Sequence, residues 1–169
     1  MKQPGWRAIA VTTFAVIVAS CDVGSDCTDI GCASGVFVKA EPESGLWQAG
    51  EYMLSVTHDG VTDECGFSLP SELPTANVTT LLDCGELVHA TLYASGGCTQ
   101  SCSLADAFQL NVTLNGTPTS FELELSRDGE VVLSDSRDVD YHDVYPNGPD
   151  CGGGCKQSHY DLVVDAPSP

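Results

Sequence analysis

The sequence predicts an all-β domain: an antiparallel β-sandwich, immunoglobulin-like or related, stapled by disulfides. Three observations predict it. After residue 35, apolar and polar residues alternate with a period of two in run after run. A strand with one apolar and one polar side belongs to a sheet with one buried and one wet face. Two of these runs fold back around Asp-Gly, at Asp59-Gly60 and at Asp128-Gly129, which is the strongest short-range sign of a hairpin. Eight cysteines follow Cys21, and an even number in an exported chain reads as four disulfides.

Residues 1–20 stand apart from the fold. Lys2 and Arg7 form a positive start, and Ala8–Ser20 is an uncharged, mostly apolar run of thirteen residues. A spanning helix needs about 20 apolar residues, so this run suits a cleaved leader and not a permanent anchor. It ends in Val18-Ala19-Ser20-Cys21, an apolar residue and two small ones before a cysteine. That is the pattern of a lipobox. The expectation is a lipoprotein signal peptide over residues 1–20, with Cys21 as the lipidated first residue of the mature chain. Diacylglyceryl and palmitate-type acyl chains would hold it to a bilayer, because two chains give stable anchoring where one is marginal. No other stretch is long or apolar enough to span a membrane. Asp22 resembles an inner-membrane retention signal of enteric bacteria, a rule that does not transfer reliably to other phyla; the expected location is the cell envelope, the outer membrane ahead of the inner.

Residues 21–34 then read as a short tether, 35–165 as a single domain, and 166–169 as a disordered tail. Within the domain the first strand is expected at Val36–Ala40. Tyr52, Leu54 and Val56 make the apolar side of the next, and after Asp59-Gly60 the residues Cys65, Phe67 and Leu69 return. Leu87–Ala94 and Ala107–Leu114 follow, the latter with Phe108, Leu110, Val112 and Leu114 on one side. Phe121, Leu123 and Leu125 lead into Asp128-Gly129, and Val131 and Leu133 come back. His159–Val164 is the last. Leu81–Leu92 is the one stretch ambiguous between helix and strand, and Gly85 argues against helix there. Eight or nine short strands at this spacing fit a sandwich.

The eight cysteines are Cys27, Cys32, Cys65, Cys84, Cys98, Cys102, Cys151 and Cys155. Cys65 falls on the inward side of its strand and Cys84 ends the connection that follows, which makes Cys65–Cys84 the preferred pair. Cys98/Cys102 and Cys151/Cys155 share a C-x3-C spacing that can close small loops. Cys27/Cys32 can do the same, or can tie the N-terminal segment to the C-terminal cysteines. The spacing leaves that open.

Several segments together resemble a group of uncharacterised lipoproteins abundant in myxobacteria. They are Asp26-Cys27 with Gly31-Cys32, Gly50-Glu51-Tyr52, Cys65-Gly66-Phe67-Ser68-Leu69-Pro70, and Ser126-Arg127-Asp128-Gly129. The Tyr145-Pro146-Asn147-Gly148-Pro149-Asp150-Cys151 segment, followed by Cys155, is the most specific. The resemblance implies envelope location, lipidation and a disulfide-bonded β domain. It implies nothing about mechanism.

Charge narrows the partners. Without residues 1–20, Lys39, Arg127, Arg137 and Lys156 face 24 carboxylates, a formal charge of −20. Such a chain cannot bind nucleic acid by counterion release and is repelled by anionic headgroups. Catalytic patterns are weak: the chain has no G-x-S-x-G elbow and no C-x-x-C. His58, His89, His142 and His159 lack zinc spacing and are expected as exposed strand or turn residues. One acidic cluster stands out: Asp135, Asp138, Asp140, Asp143 and Asp150, with His142 and Asn147 among them. Of these, Asp138, Asp140, Asp143 and Asp150 are the calcium candidates, since calcium takes 6–8 oxygens. The pattern is not an EF-hand, for Asp143 stands where glycine is required, and an acidic exposed loop is the competing reading. No cofactor is expected. The sequence reads best as a lipid-anchored, non-enzymatic envelope protein that binds an envelope protein or glycan, or serves structurally. A calcium-dependent adhesion module and a secreted hydrolase are the alternatives.

Overall fold

Asp59 and Gly60 both take positive φ, 48° and 79°, and so do Asp128 and Gly129, 52° and 84°. Two consecutive left-handed residues make a type I′ turn, whose twist matches that of the strands it joins, and Asp-Gly adopts it at low cost. Both predicted hairpins form on these turns. The computed structural model describes residues 31–43, 47–72, 76–94 and 108–165. The leader, Cys21, Cys27, Cys98, Cys102 and the tail over 166–169 lie outside the described residues.

Ten strands are found among them: β1 (Gly35–Pro42), β2 (Gly50–His58), β3 (Val61–Leu69), β4 (Val78–Asp83), β5 (Val88–Ala94), β6 (Phe108–Asn115), β7 (Ser120–Arg127), β8 (Glu130–Asp138), β9 (His142–Val144) and β10 (Cys155–Val164). A single 3-10 turn covers Pro149–Cys151. The strands form a six-stranded sheet in the order β4-β5-β6-β1-β10-β9 and a four-stranded sheet in the order β3-β2-β7-β8. The chain is thus an all-β sandwich of two packed sheets, stapled by disulfides. One pairing departs from the expected antiparallel pattern: β1 and β10 run parallel, from Gly35↔Gln157 to Pro42↔Val164. Parallel neighbours need a long connection, and here the rest of the domain supplies it.

Alternation builds the core. Val36, Val38 and Ala40 of β1, Val88, Ala90 and Leu92 of β5, and Phe108, Leu110, Val112 and Leu114 of β6 face Leu54, Val56, Phe121, Leu123 and Leu125 of the other sheet. Burying each large side chain contributes about 1.5–3 kcal/mol. Trp47 meets Tyr52 edge-on, and Tyr52 stacks on Phe67 at 5.0 Å, so aromatic rings fill the space where the chain enters β2.

One local expectation needs correction. Val131 is 51% exposed, while its neighbours Val132 and Leu133 are 4% and 7% exposed. The register shifts between Leu125 and Ser126, so that Val132 is an extra residue in β8 opposite β7. A bulge of this kind turns two consecutive residues inward. Leu81–Leu92, where Gly85 argues against helix, is the end of β4, a turn and most of β5. β4 and β9 were not recognisable: β4 is a sheet edge exposed almost throughout, and β9 has three residues.

The preferred Cys65–Cys84 pair forms, with Cα atoms 4.5 Å apart. Cys155 bonds to Cys32, with Cα atoms 5.6 Å apart, and not to Cys151. Of the alternatives for Cys32, the tie to the C-terminal cysteines is the one realised; Cys151 is itself disulfide-bonded. The described end of the N-terminal segment is held to the last strand. The Lys156 N–H donates to Ser34 Oγ at 3.1 Å and Gln157 Nε2 donates to the Ala33 carbonyl at 3.0 Å.

Candidate functional site

The histidines separate into two kinds. His89, His142 and His159 are exposed, as expected. His58 is not: it is 5% exposed, on the inner side of β2. Its Nε2 lies 3.1 Å from Asp63 Oδ2 on the paired strand. The β4–β5 turn closes over that carboxylate, so tightly that a Cβ on Gly85 would stand 2.1 Å from Asp63 Oδ1. The Cys65–Cys84 bond fixes the same turn from the next inward position of β3. This buried imidazole–carboxylate contact ties hairpin to turn; the period of two continued from Val56 puts His58 inward, and only its polar type and its place beside Asp59-Gly60 make it read as a turn residue.

The acidic cluster disperses. Asp135 Oδ2 accepts from Arg137 Nε at 2.8 Å, and Asp135 Oδ1 accepts from the Ser136 N–H at 3.0 Å. The Asp140 carbonyl accepts from Ser158 Oγ at 2.7 Å. Asp143 sits in β9 opposite Lys156, and Asp150 lies in the 3-10 turn. Asp138, Asp140, Asp143 and Asp150 are all exposed. Among the described residues no group of three or more His, Cys, Asp or Glu is placed to hold a metal ion. The structure therefore does not bring the calcium candidates together.

What remains is the pair of outer faces, and they differ. On the four-stranded sheet the positions between buried residues carry Glu51, Met53, Ser55 and Thr57 in β2, Thr62, Glu64, Gly66 and Ser68 in β3, and Glu122, Glu124 and Ser126 in β7. Across the strands Glu64, Ser55, Glu124 and Ser134 fall in one row, and Thr62, Thr57, Glu122 and Ser136 in the next. That face is small-hydroxylic and acidic.

No family model, no curated protein and no solved structure matches the chain.

On the six-stranded sheet one row runs Asp83, His89, Thr113, Phe37, His159, and the next runs Leu81, Thr91, Asn111, Lys39, Asp161. Phe37 and His159, level with each other on parallel strands, stack with ring centroids 5.0 Å apart and planes 18° off parallel. They border a shallow dish that Lys39, Asn111, Thr113 and Asp161 complete. Gln109 Nε2 donates to Asn111 Oδ1 at 2.9 Å, which orients the Asn111 amide. Lys39 pairs with Glu41. That hydrogen bond, with Asp161 adding its charge, holds the ammonium above its ordinary pKa. A second ring, Tyr93, is 43% exposed on this face. The sequence contained one sign of it: Phe37 occupies the polar side of its strand. The partner ring was hidden because the parallel β1–β10 register cannot be read from alternation.

Among the described residues no helix is long and apolar enough to cross a membrane.

Proposed function

We propose that the protein is a lipid-anchored component of the cell envelope, held through acylated Cys21, that binds a partner and carries out no reaction of its own. The observation that carries the binding part is the contrast between the outer faces. One lines its hollow with Glu, Ser and Thr, and the other lines its dish with two stacked rings, the Asn111 amide, Lys39 and Asp161. Surfaces that recognise partners place rigid aromatic side chains among a few fixed polar groups. The His58–Asp63 contact, the buried His–carboxylate pair of the described residues, is covered by the Gly85 turn and offers no open chemistry.

The lipobox supports the anchor. Ten residues lie between Cys21 and Cys32, and an extended chain reaches at most about 3.3–3.6 Å per residue. The Cys32–Cys155 bond thus holds the start of the domain within about 40 Å of the bilayer. Its negative charge then faces anionic headgroups across a Debye length of about 8 Å, so the domain stands off the surface.

Labelling of cells with radioactive palmitate tests the anchor. The wild-type chain takes up label and fractionates with membranes, and Cys21→Ala does neither. An unlabelled wild-type chain overturns the anchor. For the binding part, a photo-cross-linking residue placed at Thr91 should capture an envelope component, and one placed at Ser55, on the acidic face, should not. Equal capture from both faces overturns the assignment.

A further inference from the structure

We infer that the outer face of the six-stranded sheet, around Phe37, Asn111 and His159, is a binding site for a neutral polysaccharide chain. This rests on the reading of that face as the binding surface and names what it binds. A pyranose ring has apolar C–H faces and a rim of hydroxyls. It is best met by an aromatic ring against a C–H face and by groups that both donate and accept around the rim. The dish supplies both. Phe37, half-buried on the solvent side of a central strand, is braced by His159 at 5.0 Å. Asn111, whose side-chain carbonyl accepts from Gln109, lines the dish and carries two amide donors. Thr113, Lys39 and Asp161 add a hydroxyl, an ammonium and a carboxylate.

The extent of the face argues for a chain over a single sugar. Tyr93 pairs with Gln109, two strands across from β1 and four residues along from the Phe37 level. At strand spacings of about 4.8 Å and rises of about 3.4 Å per residue, the two rings are about 10 Å apart across the sheet and about 14 Å apart along it. A single sugar ring cannot touch both. A polymer lying obliquely over β5, β6 and β1 can.

Charge selects the kind of polymer. Lys39 is balanced by Glu41 and Asp161, and the mature chain carries −20 overall, so an acidic polysaccharide is repelled and a neutral one is not. A protein partner fits less well, because the centres of such interfaces are depleted of charge, whereas Lys39 and Asp161 sit at the centre here.

The test uses the full chain extracted in mild detergent, with insoluble β-1,3-glucan, cellulose, amylose and mannan as probes and alginate as the acidic comparison. At least one neutral polymer should retain the protein and alginate should not. Phe37→Ala and Asn111→Ala should each weaken retention about tenfold, and Glu122→Gln with Glu124→Gln on the other face should leave it unchanged. Thermal melting reports whether each variant folds. If Phe37→Ala does not, Asn111→Ala and the exposed His159→Ala carry the comparison. Retention by no neutral polymer, or retention unaltered in folded Asn111→Ala and His159→Ala, overturns the inference. Capture of an envelope protein from Thr91 together with no glycan retention overturns the glycan and leaves the binding face standing. Capture of nothing overturns both.

Discussion

Single residues hold the corners of this sandwich. Gly85 is needed for space: the Asp63 carboxylate occupies the position its Cβ would take. Gly85→Ala must push the turn off Asp63 or displace the carboxylate from His58. Such crowding costs typically about 1–3 kcal/mol, and a loss of that size in urea unfolding is expected. A change below about 0.5 kcal/mol would mean the turn moves freely. Tyr52 makes a different kind of contribution. Burial pushes its phenol above the ordinary pKa, outweighing the opposite pull of Arg127, and the bond its hydroxyl donates to the Gln48 carbonyl is one only the neutral phenol can make. The folded state therefore favours the neutral phenol. Its contribution is complete below the unfolded value of about 10 and declines as pH rises through the higher folded value. Stability should fall steeply above pH about 10, and Tyr52→Phe should flatten that fall while costing about 1 kcal/mol at neutral pH. Chemical denaturation at pH 7 and across the alkaline range checks both; an unchanged alkaline slope in Tyr52→Phe would assign the fall to other groups.

At the scale of strands, what was legible and what was not follows from one rule and its exception. Period-two alternation identifies the inner side of β2, β3, β5, β6 and β7, because each runs without a bulge with one face against the core and the other toward solvent. It fails in β8, where one extra residue turns Val132 inward and Val131 out. A bulge changes the face without changing the residue types, so Val-Val-Leu reads the same either way. Strict alternation and the observed register predict opposite outcomes for the two valines. Val132→Ala should cost about 1.5–3 kcal/mol, and Val131→Ala should stay within about 0.5 kcal/mol. The reverse order in equilibrium unfolding would show that β8 pairs without the bulge. The ring pair of the candidate site was illegible for a related reason. Phe37 and His159 are far apart in the sequence, and only the parallel β1–β10 pairing brings them level. Alternation within one strand says nothing about which strand lies beside it. Edge strand β4 shows no apolar side in the sequence, because its residues are wet almost throughout, with Leu81 79% exposed.

For the whole molecule the two described disulfides do unequal work. Cys65–Cys84 spans 19 positions and binds a turn of one sheet to the edge strand β3 of the other. Cys32–Cys155 spans 123 and joins the segment before the first strand to the start of the last. Beside it, β1 and β10 pair in parallel over eight residues, so the bond reinforces a contact between the chain's two ends that no short turn supports. Closing a loop removes unfolded-state entropy that grows with the logarithm of its length: about 3 kcal/mol for some 15–20 residues and close to 5 for some 100. The long bond also has other structure to replace it, through the Lys156 and Gln157 hydrogen bonds to Ser34 and Ala33. Its removal should therefore leave the folded state intact and act mainly through the unfolded chain. The double variant Cys32→Ala with Cys155→Ala is expected to lose more stability than Cys65→Ala with Cys84→Ala, by about 1–2 kcal/mol, at an unchanged β-sheet circular dichroism spectrum. Matched urea titrations decide the order. A larger loss from the short bond would locate the effect in the folded state instead, in the corner where Cys84 holds the Gly85 turn against Asp63 and His58.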